Sequence, residues 1–292
     1  IMKKNIDVNK VPVAQFKKFD MNSLVFDDQG KFLNPRIAII AKSGSGKSWL
    51  VKEIMHHIKD IPCGVVIAPT DKMNGFYNDF IPRAFTHHEY NETIIARVLK
   101  RQKDILGKNK DRAKAGKKPI DPRAYLIMDD CMSSKHLWLK DPNVLSIFNE
   151  GRHYQLTYIL TMQYALGIQP ELRANFDFIF LLGEDVVSNR VRLYQHYAGI
   201  FDSQQAFDKV FLQMTENYGC MVINNKIRST DLSKKVFWYK AKQMKPFVVG
   251  IPKCIEWNKR HYDENYEKKE QIIDWSTFGP KKKIPNVKIR LI

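Results

Sequence analysis

Ala41-Lys42-Ser43-Gly44-Ser45-Gly46-Lys47-Ser48 is the stretch on which the fold turns. It follows the pattern G-x-x-x-x-G-K-[ST], a glycine-rich loop that cradles phosphates. Alanine stands at residue 41 where the pattern has its first glycine, and it is the smallest replacement available. Gly44 and Gly46 can take positive φ and leave room for backbone N–H groups to face phosphate oxygens. An apolar run, residues 36–41, precedes the loop, and residues 49–58 follow it with helical spacing. Strand, loop and helix is the context the motif requires. The helix opening near Lys47 turns its positive dipole end toward an anion. A flexible Gly/Ser turn is the bland alternative, and the flanking strand and helix argue against it.

Within the motif, Lys47 is placed to reach β- and γ-phosphates, and the Ser48 hydroxyl to ligate magnesium. The expected nucleotide-binding residues are Ala41, Lys42, Ser43, Gly44, Ser45, Gly46, Lys47, Ser48 and Trp49. Further on, Tyr125-Leu126-Ile127-Met128-Asp129-Asp130 is an apolar strand ending in two acids. Adjacent carboxylates at a buried strand end are costly unless a cation or another role offsets them. Asp129 is the candidate for the magnesium shell and Asp130 for orienting or deprotonating the attacking water. A solvated Asp-Asp turn is the alternative reading. Ile159-Leu160-Thr161-Met162-Gln163 ends another strand in a residue able to hydrogen-bond water or γ-phosphate. Hydrolysis in such sites also gains from an arginine aimed at the γ-phosphate, often from a neighbouring subunit. Arg152, in Glu150-Gly151-Arg152-His153, and Arg173, in Glu171-Leu172-Arg173-Ala174-Asn175, are the two candidates. The small molecules implied are ATP and Mg2+.

Around these motifs the chain alternates apolar runs with helical spacing. Buried strands are expected over 63–68, 125–128, 155–161 and 176–182, with late strands over 220–224 and 236–239. Helices are expected over 92–106, 142–150, 186–197 and 204–216. The pattern predicts an α/β fold with a mostly parallel sheet covered on both faces and ligands at the carboxyl ends of the strands. Three segments are expected. Residues 1–34 read as a polar lead-in, with a short strand over 11–16 and a turn at 27–30. Residues 35–245 form the core, interrupted by an exposed mobile loop over 107–123. Residues 246–292 are a basic, aromatic tail wrapped on the core or docked on a neighbour.

Composition narrows the partners. The 292 residues carry 48 Lys and Arg against 31 Asp and Glu, a formal net charge of +17. Such a surplus implies an acidic partner, and nucleic acid is the commonest. Residues 108–123 hold seven Lys/Arg against two Asp, and residues 242–292 hold twelve against six Asp/Glu. The four cysteines are far apart with no C-x-x-C pair, so neither a zinc site nor a disulfide framework is expected. No apolar run approaches a membrane span, and residues 2–10 are too polar for a signal peptide, so a soluble cytosolic protein is expected.

The motifs, in their order, resemble those of the FtsK/HerA superfamily of ring-shaped DNA-pumping ATPases. More closely, they resemble the genome-packaging ATPases of nucleocytoplasmic large DNA viruses. The residues that carry the likeness are the phosphate loop 41–48, the acidic strand 126–130, Gly151-Arg152-His153, Thr161-Met162-Gln163, Leu172-Arg173-Ala174-Asn175 and Phe237-Trp238-Tyr239-Lys240-Ala241. They span roughly residues 30–242. The resemblance implies an ASCE-type, RecA-like three-layer P-loop fold, its acidic strand lying next to the phosphate-loop strand although remote in sequence. It implies ATP-driven translocation of double-stranded DNA into a capsid by a ring of five or six subunits. Capsid or portal proteins would be further partners, and the host cytoplasm, its viral factory and the virion the location. It gives Gln163 a sensor role and Asp129 a magnesium role. The second acid is Asp130 where such proteins often carry Glu, a shorter base. Two rivals are a P-loop kinase, with the 108–123 stretch as its lid, and a DNA-binding protein whose nucleotide site does not turn over. A GTPase is disfavoured, since Asn109-Lys110-Asp111 has the wrong spacing for a guanine motif.

Overall fold

The computed structural model describes residues 15–263. Among them one eight-stranded sheet runs through the molecule in the order β3-β2-β4-β5-β1-β6-β7-β8. The strands are β1 (Arg36–Ile40), β2 (Cys63–Ile67), β3 (Thr86–His87), β4 (Ala124–Asp129), β5 (Leu156–Met162), β6 (Phe178–Leu182), β7 (Gly219–Asn224) and β8 (Val236–Lys240). β1 to β6 are mutually parallel, and β7 is antiparallel to both β6 and β8. The longer helices are α1 (Lys47–His57), α2 (Glu92–Lys114), α3 (Pro142–Glu150), α4 (Val187–Tyr197), α5 (Gln204–Met214) and α6 (Pro252–His261).

The central strands are buried at every position because both faces are covered, and their residues are mostly apolar. Alternate residues feed two separate cores. Ala38, Ile40, Leu126 and Met128 pack beneath α2, α3, α4 and α5. Ile37, Ile39, Tyr125 and Ile127 pack beneath α1 and both terminal segments. This period-two division produces the three layers expected from the sequence.

Sheet order corrects one expectation. The acidic strand β4 does not lie next to the phosphate-loop strand β1, because β5 is inserted between them and pairs with both. The insertion brings a third strand end, with Thr161 and Gln163, between the loop and the acids.

Helix α2 corrects another. It continues through Gly107 to Lys114 where an exposed loop was expected. The apolar periodicity stops at Leu106 because the last two turns have no apolar layer to face. Residues 108–114 still suit a helix, and Gly107 has nothing near its missing Cβ. The chain beyond the helix folds back along it. Asn109 and Ile120 exchange two hydrogen bonds of 2.8 Å, and Arg112 donates to the Lys118 carbonyl at 2.7 Å.

Both terminal segments belong to the packed body as far as they are described. Phe19 is buried against the rings of Phe178, Phe180, Phe237 and Tyr239, with centroids 5.8–6.2 Å away. Its N–H donates to the Trp238 carbonyl, and Trp238 N–H donates to Lys17, so the lead-in covers the open edge of β8. Asp27 accepts from the N–H groups of Gln29 and Lys31 in the expected turn. The strand expected over 11–16 lies almost wholly outside the described residues. At the other end, Val249 N–H donates to Phe80 and Gly250 N–H to Lys59. Trp257 of α6 packs on Phe85. The basic run after 263 lies outside the described residues.

One contact across the sheet tests this packing. A Cβ on Gly64 would fall 2.3–2.4 Å from the ring of Tyr125, its partner on β4. Gly64→Ala therefore forces a buried, fully packed ring to move. The expected cost is about 1–3 kcal/mol, read as a lowered urea midpoint at unchanged slope.

Candidate nucleotide site

The site forms at the carboxyl ends of β4, β5 and β1. β1 delivers the chain into the loop, where Ala41 N–H donates to the Met162 carbonyl at 2.9 Å. Ala41 is 1% exposed and packs in the core beside Leu50 and Ile54. Its methyl therefore points inward, which accounts for alanine where the motif has glycine. Gly44 and Gly46 do take positive φ, +77° and +97°. Gly46 caps α1, so the helix begins at Lys47 as the motif requires. The Ser45 hydroxyl donates to the Lys42 carbonyl at 2.7 Å and closes the loop. Lys42 itself reaches out to Asp185, and that hydrogen bond raises its pKa.

Lys47 Nζ stands 3.0 Å from Asp129 Oδ1 and 3.3 Å from Thr161 Oγ1. The buried Thr161 hydroxyl donates to Asp129 and accepts the Asp130 N–H at 3.2 Å. Gln163 Nε2 donates to Asp130 Oδ2. The end of β5 thus holds both acids, one through Thr161 and one through Gln163. Cross-strand pairing of Asp129 with Thr161 sets that arrangement. Asp130 leaves the strand with φ +54°, a left-handed conformation that aspartate tolerates. The turn separates its carboxylate from that of its neighbour.

A cavity of about 700 Å³ opens over this cluster, large enough for a nucleotide. Lys42, Ser43, Gly44, Gly46, Lys47, Ser48, Trp49, Asp129, Asp130 and Gln163 line it, whereas Ala41 and Ser45, also expected at the nucleotide, do not. Asp129 and Ser48 offer hard oxygen donors in one cavity, which suits magnesium held jointly by carboxylate and phosphates. Among the described residues no group of three or more His, Cys, Asp or Glu is gathered to hold an ion.

Several lining residues escaped sequence reasoning. Asp71, after β2, is 4% exposed and accepts the Phe76 N–H at 2.7 Å. Burial raises its pKa, against the lowering effect of its backbone hydrogen bonds. A polar residue just past a parallel strand was the available signal. The fully buried Tyr77 hydroxyl faces Asp129 from the same side, and burial together with that carboxylate raises its pKa. Tyr218, Lys240 and Ala241 line the opposite wall. The Tyr218 position follows from a turn that the sequence does not announce.

The two arginines lie elsewhere. Arg152 pairs with Asp177, whose carboxylate also accepts the Arg36 N–H at 2.9 Å. Arg36 opens β1, so this cluster is at the amino edge of the sheet, opposite the phosphate loop. Arg173 donates to the Ile168 carbonyl at 3.2 Å and lies over the ring of Tyr197. Neither lines the cavity of its own chain.

The family model described as Poxvirus A32 protein matches residues 16–236. The chain belongs to this family. The motif resemblance to the packaging ATPases of large DNA viruses is thereby correct at the level of family. An uncharacterized protein of Acanthamoeba polyphaga mimivirus is 45% identical over 281 residues, covering 95% of this chain and 96% of its own. A second relative, from Invertebrate iridescent virus 6, is 32% identical over 240 residues, 80% of this chain and 88% of its own. Among solved structures, the genome packaging NTPase B204 of Sulfolobus turreted icosahedral virus 2 is similar at a TM-score of 0.47 and 12% identity. That match covers 72% of this chain and 99% of B204.

Thr161 gives the sharpest test of how this A32-family site is built. Thr161→Val keeps the shape and removes the hydroxyl that both acids share. Nucleotide turnover is expected to fall about 10–100-fold, with the thermal midpoint changed by only a few degrees. Wild-type turnover in the variant would show that Thr161 does not organise the acids.

Proposed function

We propose that this chain is the ATP-hydrolysing subunit of a viral genome-packaging motor, and that it moves double-stranded DNA. The observation that carries the reading is the convergence of Lys47, Asp129, Asp130 and Gln163 on one cavity at the phosphate loop. Backbone N–H groups of the loop and the amino end of α1 would bind the phosphates. Lys47, which pairs with Asp129, would turn to the β- and γ-phosphates. Asp129 and Ser48 would hold Mg2+, which would screen phosphate charge. Asp130 would orient the attacking water and take its proton. Gln163 is already tethered to Asp130, so a γ-phosphate that draws it away couples nucleotide state to the end of β5. Arg152 or Arg173 would complete the site only from a neighbouring subunit, in keeping with a ring of five or six.

The net charge of +17 supports a nucleic-acid track. The basic arm formed by the end of α2 and residues 115–123 is the proposed DNA contact. It lies beside Ala124, the start of β4, while the acids lie at that strand's far end. Five residues of strand separate the two, roughly 16 Å. An arm rooted at the amino edge is poorly placed to close over a nucleotide, which weighs against the lid that the kinase alternative needs. Packaging further implies capsid or portal partners and a place in the viral factory and virion. No helix among the described residues is long and apolar enough to cross a membrane.

Two substitutions separate binding from chemistry. Lys47→Ala is expected to abolish ATP turnover. Asp130→Asn is expected to bind ATP normally while lowering kcat by about 10²–10⁴-fold, the range of a general base. Turnover at the wild-type rate in Asp130→Asn would remove the base from Asp130. In mixed rings, Arg152→Ala or Arg173→Ala subunits should regain activity beside neighbours that are intact at that arginine but lack Lys47. The arginine whose loss is not rescued is not the finger.

A further inference from the structure

The cavity has two ends, and the order of strands fixes which is which. Along the carboxyl edge, the acids of β4 and Gln163 of β5 stand on one side of β1. Tyr218, which precedes β7, and Lys240, at the end of β8, stand on the other. Four strand spacings, roughly 19 Å, separate the acids from the β7 end. A triphosphate with its terminal phosphate at Asp130 and its middle on Lys47 must run toward Tyr218.

Tyr218 is held there against its own preferences. Its φ is +64°, and Asn217 before it has φ +51° and ψ +46°. A bulky residue in the left-handed region signals a constraint imposed from elsewhere. The constraint is the tight passage from α5 into β7. A Cβ on Gly219 would meet the Met214 carbonyl at 2.2 Å, so the turn has no slack. Cross-strand pairing of Gly219 with Lys240 then fixes the neighbouring wall. The turn lays the Tyr218 side chain on the phosphate loop, 3.6–3.7 Å from where a Gly46 side chain would begin. Tyr218 nevertheless stays 67% exposed. Packing therefore does not explain why a ring is displayed at this spot.

We propose that Tyr218 is the stacking surface for the base of the bound nucleotide, with the Lys240 ammonium beside it as a donor to the acceptor edge of a purine. This rests on the reading of the cavity as an ATP site, and it assigns the base end of that site. Stacking on an aromatic face needs no particular hydrogen-bond pattern. It contributes to affinity for nucleosides and nothing to affinity for bare phosphates.

The test compares ATP with inorganic tripolyphosphate, each with magnesium, by calorimetric titration of the full chain. Tyr218→Ala and Tyr218→Leu are both needed, since leucine still fills the space against Gly46. Each variant is expected to bind ATP about tenfold more weakly. Tripolyphosphate affinity should stay at the wild-type value, and Tyr218→Phe should restore ATP affinity. Unchanged ATP affinity in Tyr218→Leu would overturn the proposal. Equal weakening for ATP and tripolyphosphate would also overturn it, by making Tyr218 a support for the loop. A wild-type chain that binds neither ligand would instead defeat the ATP-site reading on which the proposal rests.

Discussion

A lysine, a threonine and an aspartate share one hydrogen-bonded knot, and most of the molecule exists to hold it. Lys47 comes from the loop after β1, Thr161 from β5 and Asp129 from β4. Three strands must therefore lie side by side in fixed register for the knot to form. A one-residue slip of β5 against β4 would turn the Thr161 hydroxyl to the other face of the sheet. The apolar residues that alternate along these strands prevent that slip, because each face is pinned by its own core. Site and fold are in this sense one constraint. The buried hydroxyl pays its way only where both acids are present.

A carboxylate that would hold magnesium is paired with the ammonium that would hold phosphate. Each group satisfies the other, so neither charge is left unpaired in a partly buried place. In the proposed mechanism, nucleotide entry would exchange one set of partners for another. That exchange would reach Asp130 through Thr161, whose oxygen accepts the Asp130 N–H, and Gln163 through its bond to Asp130.

Much of this was legible in the sequence, and the limits have physical causes. Apolar runs gave the central strands because both of their faces are buried. The phosphate loop was legible because glycines, lysine and serine each answer a separate chemical demand. The order of strands was not, since pairing partners are remote in sequence, and β5 was therefore not foreseen between β1 and β4. The end of α2 was read as a loop because periodicity detects only turns with an apolar layer to face. Phe19 sat in a segment read as polar, yet its ring joins four others in a core. Tyr218 carried no signal at all, since its place depends on two left-handed residues and the contact of Gly219 with Met214.

Steady-state ATP hydrolysis measured with and without double-stranded DNA decides whether this site uses ATP to move DNA. Lys47→Ala supplies the blank. The account predicts turnover that rises several-fold with DNA, and a stimulation that weakens steeply as salt is raised. Reversing the charge of Lys110, Lys114 and Lys117 should reduce the stimulation and leave basal turnover unchanged. ATP turnover in the wild type that is indifferent to DNA at every salt concentration would contradict the account.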